Sequence, residues 1–280
     1  SDYVQSFDSD GFTLGTNGNA NSNGDTFCSW NWKAGGSTSS NSDGNINSTV
    51  SVNTTAGFSI VSYTGNGSSN QTVGHGLGVK PAVIILKNRD DTNNWVVYHH
   101  KLNNGTNPEV KYLELNSTNG QLDDASIFND TAPTSSVFTI GNASDTGSGT
   151  GGNNEKIIAY CFAEKTGYSK FGSYVGNGNA DGTFVYTGFK PSFVMIKEIS
   201  SNGYQWTIVD DKRSSSNSSS MKWLFPDSNG VETTESTWDL LSNGFKQRAN
   251  HSYVNHSGTH IYMAFGQSLV GSNNIPCTAR

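Results

Sequence analysis

The sequence predicts an all-β protein built from tandem antiparallel β-sandwiches of jelly-roll or lectin-like type. Three observations lead there. Hydrophobic residues make up 33% of the 280 residues and charged residues 14%, against about 45–50% and about 25% in average globular domains. The difference is filled by 32 Gly and by Ser, Thr and Asn, yet the chain keeps 14 Phe, 11 Tyr and 6 Trp. Disordered chains are poor in aromatics and highly charged. Short strands joined by Gly/Asn/Ser turns over a thin aromatic and β-branched core use this mixture instead. The third observation is an echo: "KPAVIILK" at 80–87 returns as "KPSFVMIK" at 190–197, 110 positions on.

Other landmarks recur in the same order. "SYTGNG" at 62–67 answers to "SYVGNG" at 173–178, Trp95 to Trp206, Phe138 to Phe245, and Phe162 to Phe265. Residues 1–36 repeat only the last part of the pattern: "SDGFTLG" at 9–15 matches the Phe138 segment, and "FCSWNWK" at 27–33 the closing strand. They read as the C-terminal third of a preceding copy, and the chain, which opens at Ser1, as a piece of something longer. Residues 37–56 are polar and lack aromatics, so an extended linker is expected. The complete copies are then 57–167 and 168–270, with a tail at 271–280.

Strands are expected in the first copy near 58–64, 82–88, 95–99, 111–115, 126–129, 136–141 and 156–164, separated by turn residues. Helical spacing is found only in "TTESTWDLL" at 233–241. The echoed strands, Val83, Ile84, Ile85 and Leu86 and then Phe193, Val194, Met195 and Ile196, are apolar at every position. A strand so patterned is covered on both faces, so a neighbouring unit or a partner chain must lie against the outer one. Trp95, Trp206, Phe138, Phe245, Phe162 and Phe265, present in both copies, go to the core or to an interface. Pro81 and Pro191 are expected at strand starts, and Lys87 and Lys197 as charges that discourage edge pairing.

Composition also excludes partners and activities. Net charge is −6 with a pI near 5.4 and no basic block, which argues against a sequence-independent grip on nucleic acid. No apolar run reaches the length of a membrane span. Three cysteines, Cys28, Cys161 and Cys277, make neither a disulfide framework nor a zinc site; Cys28 and Cys161 are expected inside apolar strands. No cofactor or metal is expected, and no catalytic residue. His99 and His100, Asp123 and Asp124, and the cluster His251, His256 and His260 are not matched between the copies. A hairpin around 255–258 would set His251 beside His260, which is two metal ligands without a third. Asp210 and Asp211, with Asp123 and Asp124, are the acids a glycosidase would need. Trp223, Trp238 and Tyr253 are candidate stacking platforms for a glycan.

Several stretches together, among them "TVGHGLGVKPAVIILKNR", "AYCFAEKTGYSKFGSYVGNGNADGTFVYTGFKPSFVMIK", "DLLSNGFK" and the terminal "AR", resemble a repeat domain of marine bacteriophage tail-fibre-like structural proteins. The resemblance runs from about residue 6 to 280. It implies a non-enzymatic protein of a virion surface appendage, a homo-oligomer with a trimer favoured, in contact with other virion proteins and with a host-surface glycan. A purely structural spacer or capsid decoration, a polysaccharide depolymerase, and a bacterial adhesin or filament subunit are the rival readings.

Overall fold

In the computed structural model, residues 3–143, 154–214, 220–235 and 237–268 are described. Cys277 and the tail 271–280 lie outside them. The chain divides into two compact units, Ser1–Trp32 and Lys33–Arg280. The first contains a hairpin, β1 (Val4–Phe7) and β2 (Phe12–Leu14), and a helical turn, α1 (Gly18–Asn21), capped by the Asn17 side chain. The strand expected over 27–33 does not form, and Cys28 is exposed rather than inside a sheet. The counterparts of that strand each sit between two partner strands. Residues 1–32 supply neither, so its ladder would go unpaired.

The second unit opens with β3 (Ser39–Asn41) and β4 (Ser48–Asn53), which corrects the reading of 37–56 as a linker. "NSTVSVN" alternates Val with Ser and Thr, a half-buried strand written in small residues; Val50 is buried in the core and Ile46 beside it. Next come β5 (Phe58–Thr64), β6 (Gln71–Gly74), β7 (Val83–Asn88), β8 (Val96–His99), β9 (Lys111–Glu114) and β10 (Leu122–Asp123). The segment 126–129 is a helical turn, α2 (Ala125–Phe128), and not the expected strand. Asp124 accepts the Ser126 N–H at its start, and Asn129, at φ +52°, ends it. Then follow β11 (Val137–Ile140) and β12 (Lys156–Phe162).

Eight of these strands make one antiparallel sheet in the order β10-β9-β8-β7-β12-β5-β4-β3, and β11 pairs with β6 in a second layer. The first core lies between them. Val61, Leu86 and Ile157 meet Val73, Phe138 and Ile140, with α2 adding Ile127 and Phe128.

Beyond residue 168 run β13 (Ser169–Val175), β14 (Phe184–Tyr186), β15 (Phe189–Glu198), β16 (Thr207–Asp210), β17 (Met221–Trp223), β18 (Thr233–Glu235), β19 (Trp238–Leu241), β20 (Gly244–Gln247) and β21 (Thr259–Ser268). The stretch 233–241, considered as a helix, is two strands. The order β13-β21-β15-β16 repeats β5-β12-β7-β8, and β14 pairs with β20 as β6 pairs with β11. Backbone demands repeat too: Gly67 and Gly178 of the two "GNG" turns have φ +71° and +66°. That left-handed region costs glycine nothing.

The two echoed strands are buried on both faces. Ile84 and Leu86 point into the first core and Val194 and Ile196 into the second. Their alternates, Val83, Ile85, Phe193 and Met195, are at most 9% exposed. Each half covers the other. Phe162 packs edge-on against Phe171 and Phe265, ring centroids 6.1 and 5.7 Å apart. The Trp206 indole N–H donates to the Glu114 carbonyl at 2.9 Å, and the main chain is stitched at Gln121 N–Ile199 O and Gly203 N–Thr118 O. The outer faces therefore need no second chain. Trp95, the counterpart of Trp206, stays half-buried and stacks on Tyr160.

Two smaller expectations change. β7 and β15 are interior strands, so their lysines guard no edge. Lys87 Nζ instead donates to the Asp91 and Asn93 carbonyls, and Lys197 Nζ to that of Tyr204, each holding the loop that follows its strand. Burial lowers Lys197 to about 8 against the pull of Asp227 and Glu198. Pro191 is not at a strand start but inside β15, at an irregularity in its pairing with β21, where bulges admit proline.

Candidate functional site

A cavity of about 560 Å³ opens where three loops of the first half converge. The loop entering β7 contributes Val79, Lys80, Pro81 and Ala82; the loop leaving β8 contributes His100 and Lys101; that leaving β12 contributes Ala163, Glu164 and Lys165. Antiparallel neighbours bring these ends together: Val83 pairs with both His99 and Phe162. The first Lys-Pro of the echoed octapeptide thus lines a cavity wall.

The histidines here are held by the other half of the unit. His99 Nε2–H donates to the Tyr262 carbonyl at 3.2 Å while its Nδ1 accepts the Lys101 N–H at 3.1 Å. Those partners settle which nitrogen carries the proton. Burial, with the like charges of His100 and Lys101, lowers His99 to about 3. His100 donates from Nε2 to the Phe171 carbonyl at 2.7 Å and is also lowered, chiefly by burial. Both rings are neutral at pH 7.

The residues singled out from the sequence fall elsewhere. Trp223 and Trp238 are 0% and 1% exposed and pack edge-on against each other in the second core, so neither offers a face to a glycan. Two tryptophans among Asn and Ser read as surface because much of the core they join, Tyr174, Phe189, Val194 and Ile196, is distant in sequence. Tyr253 is half-buried against Phe225. Residues 251–258 form turns rather than a hairpin. His251 packs on Trp223, and His260 lies flat on Tyr174, centroids 4.9 Å apart. Among the described residues, no group of three His, Cys, Asp or Glu could hold a metal. Asp123 pairs with Lys111, and Asp124 caps α2. Burial would raise Asp210, but the Arg213 guanidinium and the amides of Arg213 and Lys212 hold it below its ordinary value. The four acids do not converge on one cleft. Cys161 is buried in the first core.

An exposed aromatic pair lies outside the sequence-predicted site residues. Phe184 and Tyr186 on β14, an edge strand, are 43% and 62% exposed, with Val185 turned inward. The alternation in "FVY" was the available signal. No helix among the described residues is long and apolar enough to cross a membrane.

In comparisons with known proteins, a family model described as a domain of unknown function, DUF7483, matches residues 1–268. No curated protein and no solved structure matches.

Proposed function

The chain belongs to the DUF7483 family, and from that premise we propose that it is a non-enzymatic structural module of a virion surface appendage, a tail fibre or related fibre, that attaches to the host surface. On this reading residues 57–167 and 168–270 are two copies of one sandwich module. The observation that carries it is the seam. Two halves of the same strand order meet through apolar sheet faces and main-chain hydrogen bonds at 117–121 and 199–203. A seam of that kind turns two small sandwiches into one stiff body, which a load-bearing fibre needs and a substrate-clasping enzyme does not. The Gly/Asn/Ser-rich surface and the sequence resemblance to phage appendage repeats support the same reading.

Immunogold labelling of purified particles with antibody raised to the purified chain is the direct test. Labelling of a surface appendage is the expected result; particles that carry the protein nowhere would overturn the proposal. Self-association, a trimer above all, belongs to the appendage reading rather than to the exposed strands, and light scattering on the purified chain decides it.

A further inference from the structure

We propose that the cavity at the β7, β8 and β12 ends binds an anionic sugar residue, one that carries a sulfate ester or a carboxylate. Three lysines, Lys80, Lys101 and Lys165, line it. Among the described residues none of the three has a carboxylate within ion-pair distance. The one acid in the wall, Glu164, is already engaged: it accepts the Phe171 N–H at 2.9 Å and pairs with Lys170 at 3.3 Å. Glu109 follows the lining residue Pro108 but does not line the cavity. In a chain of net charge −6, three uncompensated cations converge on one concave surface. Like charges gathered in a cleft repel one another and focus a positive potential, which attracts an anion.

Shape and lining narrow the class. About 560 Å³ lies within the range of about 300–1,000 Å³ of small-molecule sites. Pro81, Ala82, Pro108 and Ala163 give the wall an apolar part, which suits the C–H face of a pyranose, while lysines suit its charged substituent. His100, neutral and tied to the Phe171 carbonyl, holds the wall in shape.

The repetition of the chain supplies an independent argument. At the matching positions the second half keeps two of the lysines, Lys190 for Lys80 and Lys212 for Lys101, but has Asp211 for His100 and Ser268 for Lys165. The strand order is made twice and the third lysine, Lys165, occurs once, so the repeated order does not require it, whereas Lys80 and Lys101 recur with that order.

The inference rests on the attachment reading only for the source of the sugar. Calorimetric titration of the whole chain at low salt would use three oligosaccharides of equal length: a sulfated galactan, an oligouronate and a neutral galactan. Binding of the sulfated or the uronate probe is expected, at least about tenfold tighter than the neutral one, and the tighter arm names the anion. Lys101→Gln and Lys165→Gln should each weaken that binding by about tenfold or more, as loss of a charge-assisted hydrogen bond implies. Lys212→Gln, the counterpart in the second half, should leave it unchanged. Failure of both charged probes to outbind the neutral one overturns the site, as do lysine variants that bind like wild type. Neither result alters where immunogold places the protein, and a protein absent from particles leaves the titration as it stands.

Discussion

Acid should loosen this protein well above the pH at which ordinary carboxylates titrate. His99 is 1% exposed and His260 0% exposed. Burial lowers His99 to about 3 and His260 to about 4, with help from His100 and Lys101 beside the first and His256 beside the second. An unfolded histidine titrates near 6.5, so as pH falls the unfolded chain takes up these protons first. Their contribution is complete above about pH 6.5 and drains away as pH drops toward the folded values. The geometry gives the reason. A proton on His99 Nδ1 displaces the Lys101 N–H it accepts. His260 donates from Nδ1 to the Gly258 carbonyl, and its Nε2 is buried without a partner, so a proton there has no acceptor. At about 1.4 kcal/mol per pKa unit, the two units between pH 6.5 and 4.5 cost about 2.7 kcal/mol for each ring and about 5.4 for both. That is a large share of a total stability of about 5–15 kcal/mol. Asp227, raised chiefly by burial, acts in the opposite direction. The assay is urea unfolding at a series of pH values between 7.5 and 4.5, for wild type and His99→Gln. The variant keeps a donor for the Tyr262 carbonyl and cannot titrate, so its slope should fall, the remainder coming from His260 and from His75, His100 and His251, which burial also lowers. A pH-independent midpoint, or an unchanged slope in His99→Gln, would refute the reasoning.

Three further outcomes are expected. Phe265→Ala removes a ring that meets Phe162, Phe171 and Phe193 at the seam, so it should cost about 3–5 kcal/mol. Calorimetry should still show one transition, since both halves lose the same contact. Gly120→Ala places a Cβ 2.7 Å from the Ser201 carbonyl and 2.8 Å from that of Ile199; the forced shift should cost about 1–3 kcal/mol in a denaturant melt. Burial raises the Cys161 thiol far above its ordinary value. Mass spectrometry after brief alkylation should therefore find Cys161 unmodified in the native protein and modified in urea, because the thiolate is the nucleophile.

The double-sided burial of the echoed strands was legible because unbroken apolar runs leave no solvent face. Which of the two expected covers, the neighbouring unit or a partner chain, was not, since the covering residues lie about a hundred positions away. Small-residue strands were harder: "NSTVSVN" is a strand through its register with β5, and no large side chain announces it. The helical turn at 125–128 is not legible because "ASIF" is too short to show a period, and its capping Asp124 reads in the sequence only as one of the acids a glycosidase would need. The candidate cavity is assembled from loop ends at 79–82, 100–108 and 163–165. Only antiparallel pairing brings these together, and local sequence carries no trace of that. His99 and His100 stand out in the sequence as unmatched, but their lysine neighbours do not, because a lysine in a loop is ordinary until three share a wall.

The mutual covering of the two halves also has a cost in time. A ribosome that has finished the first half has made a sheet whose far side, with Val83, Ile85 and Phe162, has nothing against it. Roughly a hundred more residues must emerge before its cover exists, which at about 5–20 residues per second takes on the order of 5–20 s. Through that interval nascent chains present adhesive flanks to one another. Expression yield should thus depend on translation speed across 168–268 and on chaperone supply, more than on the stability of the finished protein.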